Sequence, residues 1–581
     1  MINKYDMKKF SKIILFSILS AFALVGCNDM LDVDSNRIVT PGQYSMDAAN
    51  DTLYSMFAVY SQLQKIADSY VLLGELRGDL MDVTPTSDLA LKEINNFDIS
   101  ANNKYANNIK DYYSVINNCN YVIHNIDTSL VKGSIKVMLK EYAACKAIRA
   151  WTYMQIALNY GSAIYYDKPI LSVQDGEAIQ NSPVLTLAEL APILIADISP
   201  YKDVVKPKLG SIFSDNIDNA FFPIRFILGD LYLWTGQYEN AANEYHDLMV
   251  KNKYALTRRS QYDVVNFVFT GGWTADISVL SGSEIITNIA ATNQYAQTFD
   301  LDSLTLNRMI IPSSLSIANW KKQIYFYDYI KATKLPLTKY GDLRVVNSII
   351  TSYDSKLSYN AGYSYSSGYN AFDSTATTLN TYLGKYFFLN SPVKDKKTSK
   401  TIVPYRVPLL YLRYAEAVNR LGKPNLALVA LKYGLTSSNI QKYLPASEKT
   451  ASPPNYMNFP NELFDYVITN SSGTTIVKNI GIRMRGCGNV DLDTTFYRIP
   501  SKVKLAAINS DSIKYVEDLI VNELALESAF EGNRFQDLVR VAIRRDDNSY
   551  LANIVAAKHT ENKEAIRSKL SSSRDYWYLK K

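Results

Sequence analysis

One spacing occurs twice in this 581-residue chain, and it restricts the fold more than any other feature. Leu228-Gly229 is followed by Tyr232, Gly236, Tyr238, Ala241 and Tyr245, and a second, weaker copy runs Ala415, Val418, Gly422, Ala427, Leu431. In each copy an apolar helical stripe reaches a turn glycine, and a small residue follows where a second helix must cross the first. This is the pattern of a tetratricopeptide-like helical hairpin. Such a unit cannot bury its apolar face alone and must stack on others. A stripe ending at Gly161 fits the pattern in part. Helical periodicity also marks Met46 to Tyr60, Ile109 to Asn125, Val137 to Tyr160, Ile513 to Ala529 and Phe535 to Arg545. Ala143, Ala144, Ala147 and Ala150 permit close helix packing. The expected class is mainly α, a tetratricopeptide-like helical-hairpin scaffold.

The first residues read differently. Lys8, Lys9 and Lys12 precede an apolar run from Ile13 to Val25, and Leu24-Val25-Gly26-Cys27 has the form of a bacterial lipobox. A membrane span needs ~20 apolar residues, and this run of 13 is too short. The expectation is a signal peptide over 1–26 and a lipid on Cys27, whose thiol is the nucleophile. Asp29, Asp32 and Asp34 then form an acidic tether over 27–45, which resembles an export signal to the outer face of the outer membrane.

The remainder divides into a helical region at 46–251, a loop-rich insertion at 252–404 and a C-terminal region at 405–581. The insertion is dense in Tyr, Ser, Thr, Asn and Gly, as in Tyr363-Ser364-Tyr365-Ser366-Ser367-Gly368-Tyr369. Insertions of this kind on a rigid scaffold are where ligand faces sit. A second loop-rich stretch is expected from Ser438 to Asp511.

The net charge of +6, half of it in the leader, argues against a nucleic-acid partner. Besides Cys27 there are Cys119, Cys145 and Cys487. Two buried free thiols at Cys119 and Cys145 are the expectation, with a single bridge between them as the alternative. His124, His246 and His559 are scattered, so neither a zinc site nor another metal or cofactor is expected. No nucleophile elbow or phosphate loop is present. Glu523, Glu527 and Glu531 share one helix face at i, i+4 spacing. A glycosidase needs carboxyls on opposite sides of a bond, so these read as an ion network, neutralised by Arg534, Arg540, Arg544 and Arg545.

The stretch from Glu523 to Arg540, ELALESAFEGNRFQDLVR, resembles the closing motif of the SusD/RagB family. Upstream, Gly74-Glu75-Leu76-Arg77-Gly78-Asp79-Leu80-Met81 resembles the family's N-terminal motif, Tyr113 to Asn120 its next helix, Ile148 to Gly161 its first hairpin, and Gly481 to Gly486 a segment of one branch. The resemblance implies a SusD-like scaffold with an irregular ligand-binding insertion, and a binding protein rather than an enzyme. It implies an outer-membrane lipoprotein that captures oligosaccharides and delivers them to a SusC-like TonB-dependent transporter. Oligopeptides are the alternative ligand, and a surface glycoside hydrolase or a protein-binding scaffold are further alternatives. By the same resemblance, ligand contacts fall just after the N-terminal motif and in the insertion. The candidates are Arg77, Asp79, Asn103, Tyr105, Trp273, Tyr295 and Trp320, with Asp82, Asn102, Tyr325 and Tyr327 beside them. Flat rings would pack on sugar C–H faces, and polar groups would pair with hydroxyls.

Overall fold

Two helices open the scaffold, α1 (Ala49–Lys65) and α2 (Ala67–Glu75). These come from a computed structural model, which describes residues 49–580 apart from 208–210, 213–214, 217–218, 257–283, 292–299, 330–332, 334–335, 343, 353–379, 387–399, 462–465, 471–472, 478–479 and 488–496. The helix expected to stop at Tyr60 continues to Lys65, since Leu63 extends its buried stripe and nothing in Ser61 to Gln64 breaks a helix. Helix α3 (Ile109–Asn125) packs antiparallel on α4 (Leu139–Tyr160). The latter starts later than the periodicity suggested, because Val131–Lys132 and Ile135–Lys136 form a small hairpin around Gly133, at φ +69. Gly161, at φ +80, ends it in the left-handed cap that glycine adopts freely.

The two copies of the repeat are two hairpins. Helices α5 (Ile224–Trp234) and α6 (Tyr238–Asn252) turn on Gly236, and α7 (Val407–Arg420) and α8 (Pro424–Lys432) turn on Gly422. Both glycines have φ +78. Ala241 and Ala427 are fully buried at the crossings. At Gly229 a Cβ would fall 2.3 Å from the Tyr245 ring, so the closeness of α5 to α6 depends on that glycine. Helices α6 and α7 pack together, which joins the two hairpins across the intervening insertion. Helix α9 (Ser512–Glu527) packs on α7, and α10 (Arg534–Arg545) packs on α2.

Five short strands matter here: β1 (Met81–Val83), β2 (Ile285–Ala291), β3 (Ile310–Pro312), β4 (Asn380–Leu383) and β5 (Lys400–Arg406). Within the insertion β2 pairs antiparallel with β5, with Ile289 opposite Ile402. Strand β5 leads straight into α7. Its Tyr405 ring stacks on Phe226 at 3.9 Å, and Phe222 stacks on Trp151 of α4 at 4.5 Å, so one aromatic chain links scaffold and insertion. The 438–511 stretch is less irregular than expected: it holds a helix at Ser437–Tyr443 and a hairpin of Tyr466–Asn470 with Gly473–Val477.

Cys119 and Cys145 are buried free thiols on α3 and α4, and Cys145 Sγ lies 3.3 Å from Met56 Sδ. Among the described residues no helix is long and apolar enough to cross a membrane, and no group of side chains is arranged to hold a metal ion.

Candidate functional site

The stretch after the N-terminal motif and the middle insertion meet edge to edge. Strand β1 pairs antiparallel with β3, Met81 opposite Pro312 and Val83 opposite Ile310. Around this ladder, Thr84 Oγ1 donates to the Arg308 carbonyl (2.8 Å) and Ser87 Oγ to the Met309 carbonyl (2.6 Å). Ser313 donates from its N–H to the Leu80 carbonyl (2.8 Å) and from its hydroxyl to the Asp79 carbonyl (2.6 Å). Strand β4 lies against β3. The two regions expected to contribute ligand contacts are therefore joined to each other.

The N-terminal motif itself is held by the closing motif. Glu75, fully buried, accepts the backbone N–H of Phe530 (3.1 Å) and of Gly532 (2.8 Å). Burial pushes its carboxyl up to about 7, even though those N–H groups favour the charged form. Asp79 and Arg534 form a two-pronged ion pair at 2.6 and 2.9 Å. The backbones touch at Gly74, where a Cβ would fall 1.9 Å from the Gly532 carbonyl oxygen.

Against this frame the expected contact residues take definite places. Arg77 is 1% exposed; it donates to the Leu73 carbonyl, the Trp577 carbonyl (3.0 Å) and Asn159 Oδ1, with its guanidinium 4.4 Å from the Phe535 ring centre. Asp79 has both oxygens on Arg534. Buried Asn103 caps a turn, accepting from Tyr105 N and Ala106 N and donating to the Ala90 carbonyl. Tyr105 is buried, with the Lys104 ammonium 4.7 Å from its ring centre. Trp320, 1% exposed, donates to the Leu526 carbonyl (3.3 Å). Each of these five has a buried side chain. Asp82 is half-buried and accepts from Asn95, Asn102 is exposed, and Tyr325 is buried against Asp342. Trp273 and Tyr295 lie outside the described residues, as do Cys27 and the Tyr327 side chain.

Sequence reasoning missed Arg308 and Tyr382. Arg308 follows the short helix Leu301–Leu306 and adopts φ +54, a left-handed conformation that costs a non-glycine residue about 1–2 kcal/mol. Its guanidinium lies 5.8 Å from the Tyr382 ring centre on β4. Nothing in the sequence around Asn307-Arg308 signals that conformation, and Tyr382 is one of 44 tyrosines.

The glutamates of the closing motif form an ion network, but with different cations from those expected. Arg406 binds Glu527 (2.7 Å) and Glu531 (2.8 Å), and Arg344 binds Glu523 (2.8 Å). Arg485 reaches Glu527, Arg483 reaches Glu523, and Lys385 pairs with Glu531 (2.5 Å). Arg534, Arg540 and Arg545 pair instead with Asp79, Glu416 and Glu517, while Arg544 bonds carbonyls of the α5 end. The difference arises because α9 ends at Glu527, and the chain then reverses through Phe530 at φ +68. Burial opposes ionisation of Glu527, yet the Arg485, Arg406 and Arg344 charges hold its carboxyl well below the usual carboxylate range. A group held in that form has no proton to give as a general acid.

The overall fold also occurs in solved structures. The chain has the SusD-like fold. It aligns with a SusD superfamily protein from Bacteroides vulgatus at 14% identity and TM-score 0.56, covering 92% of this chain and 96% of that one. A SusD-like carbohydrate-binding protein from Bacteroides fragilis aligns at 13% identity and TM-score 0.55, over 86% and 87%. Surface glycan-binding protein A from Bacteroides fluxus aligns at 14% identity and TM-score 0.53, over 90% and 95%. No family model matches the sequence, and no curated protein matches it.

Proposed function

We propose that this chain is a lipoprotein of the outer-membrane surface, anchored through Cys27. In this reading it captures oligosaccharides and hands them to a SusC-like TonB-dependent transporter. The observation that carries the reading is the fold, shared over most of both chains with proteins named for carbohydrate and glycan binding. The ionised, fully paired Glu527 further supports a binding role rather than hydrolysis. Trp273 and Tyr295 are proposed as stacking surfaces. Arg77, Asp79, Asn103, Tyr105 and Trp320, all buried, are proposed to hold the backbone around the ligand face rather than to touch ligand.

A glycan array probed with the soluble form from Asp29 onward, run beside a peptide-library pull-down, tests the ligand. Glycan retention is expected; enrichment of peptides alone would replace sugar by peptide. Purification from native membranes should bring a TonB-dependent barrel with it, and its consistent absence overturns the delivery step. Cys27→Ala should release the protein from the cell surface and leave glycan binding in solution intact. Product release lost in Glu527→Gln would instead restore the hydrolase reading.

A further inference from the structure

Among the described residues, the deeply buried arginines have acceptors for their guanidinium groups. Arg344, Arg406, Arg413, Arg483, Arg534 and Arg540 all pair with carboxylates, and Arg77 has three carbonyl-type oxygens. Arg308 differs. It is half-buried, its Nε is shielded from solvent with no hydrogen-bond partner, and no carboxylate is paired with it among the described residues. The Nε atoms of Arg149, Arg225, Arg485 and Arg544 are likewise shielded and unpartnered, but each of those guanidinium groups is held through another nitrogen, whereas that of Arg308 has, among the described residues, only the Tyr382 ring.

The surroundings hold this group in place. The Arg308 N–H donates to the Thr305 carbonyl (3.0 Å), and its own carbonyl accepts from Thr84. The left-handed backbone is thus fixed from both sides, as strained residues at functional sites are. Tyr382 supports the guanidinium from one side by a cation–π contact. The Thr84 and Thr86 hydroxyls, 2.9 Å apart, lie on the same join.

We propose that Arg308, backed by Tyr382, is the receptor for a carboxylate on the ligand, and that the captured oligosaccharide contains uronic acid residues. This rests on the glycan-capture reading above. A guanidinium presents a planar fork of donors that matches a carboxylate. A uronate ring carries its carboxylate beside an apolar C–H face, which suits a cation standing on a tyrosine.

The test uses full-length protein and trigalacturonate as probe, with its methyl ester as the neutral control and a sulfated neutral trisaccharide as a third arm. Calorimetry at low salt should show at least tenfold tighter binding of the acid than of the ester. In Arg308→Gln that ratio should fall to about one, and Arg308→Lys, which keeps the charge but loses the fork, should recover only part of it. An unchanged melting temperature in both variants separates lost recognition from lost folding. Equal binding of acid and ester by the unaltered protein overturns the inference and leaves glycan capture standing. Preference for the sulfated arm overturns the carboxylate assignment. If neither the probes nor any glycan on the array binds, the capture reading itself fails.

Discussion

Glu75 has no contact with solvent and serves two backbone N–H groups from a segment 455 residues away. Its carboxyl is raised from 4.5 to about 7, chiefly by burial, so the folded state holds the proton more tightly than the unfolded chain does. The stabilisation linked to that proton is fully present below pH 4.5 and is lost as pH rises through 7. A shift of this size corresponds to about 3 kcal/mol. Denaturant unfolding from pH 4.5 to 8 should therefore show stability falling more steeply for the native sequence than for Glu75→Gln, which cannot ionise. Parallel curves for the two would refute the assignment. At this scale the sequence was informative about importance and less so about role. Arg77 and Asp79 stand out within a recognisable motif, yet their side chains complete a clamp with Asn159, Trp577 and Arg534, partners 80 to 500 positions distant that no local pattern reveals. Arg308 carried no signal at all, because its distinction is a missing partner.

Elements were far more legible than sites. The glycine-to-alanine spacing located both hairpins, since a helix crossing imposes small residues at set intervals and a tight turn imposes a left-handed residue. These two demands are separable by substitution. Gly422→Ala meets open space and only the backbone penalty at φ +78, so a loss of about 1–2 kcal/mol is expected. Gly229→Ala has an ordinary helical backbone but drives a Cβ into the Tyr245 ring, which is held by Asp230 at 2.6 Å and by Phe226. Its cost should be larger, about 3 kcal/mol. Chemical denaturation ranks the two, and a reversed order would mean that α5 and α6 can separate without penalty. The insertion was legible only as an absence of stripes. Its strands pair across long gaps, β3 with β1 and β2 with β5, so the partner of each lies far outside any local window, and β3 has only three residues.

For the molecule as a whole, the decisive contacts join sequence extremes. Trp577 is 1% exposed, its carbonyl accepts from Arg77, and Leu579 N donates to the Asn159 carbonyl (2.8 Å). Phe535, Leu538, Leu551, Val555, Ile566 and Leu570 complete a C-terminal core around that tryptophan. Ending the chain after Ser573 removes only eight residues, yet it should unfasten the N-terminal motif. The expected result is a drop in melting temperature and rapid proteolysis near residue 77, measured by limited digestion and mass spectrometry. A truncated protein that melts like the full chain would show that the clamp is dispensable.

The close approach of Gly74 to Gly532 also sets an order of events in time. While the chain is being made, its first motif has no counterpart until almost the entire polypeptide exists. The carboxyl of Glu75 then waits for backbone N–H groups at Phe530 and Gly532. The join between the two motifs therefore closes only when the final helices are present.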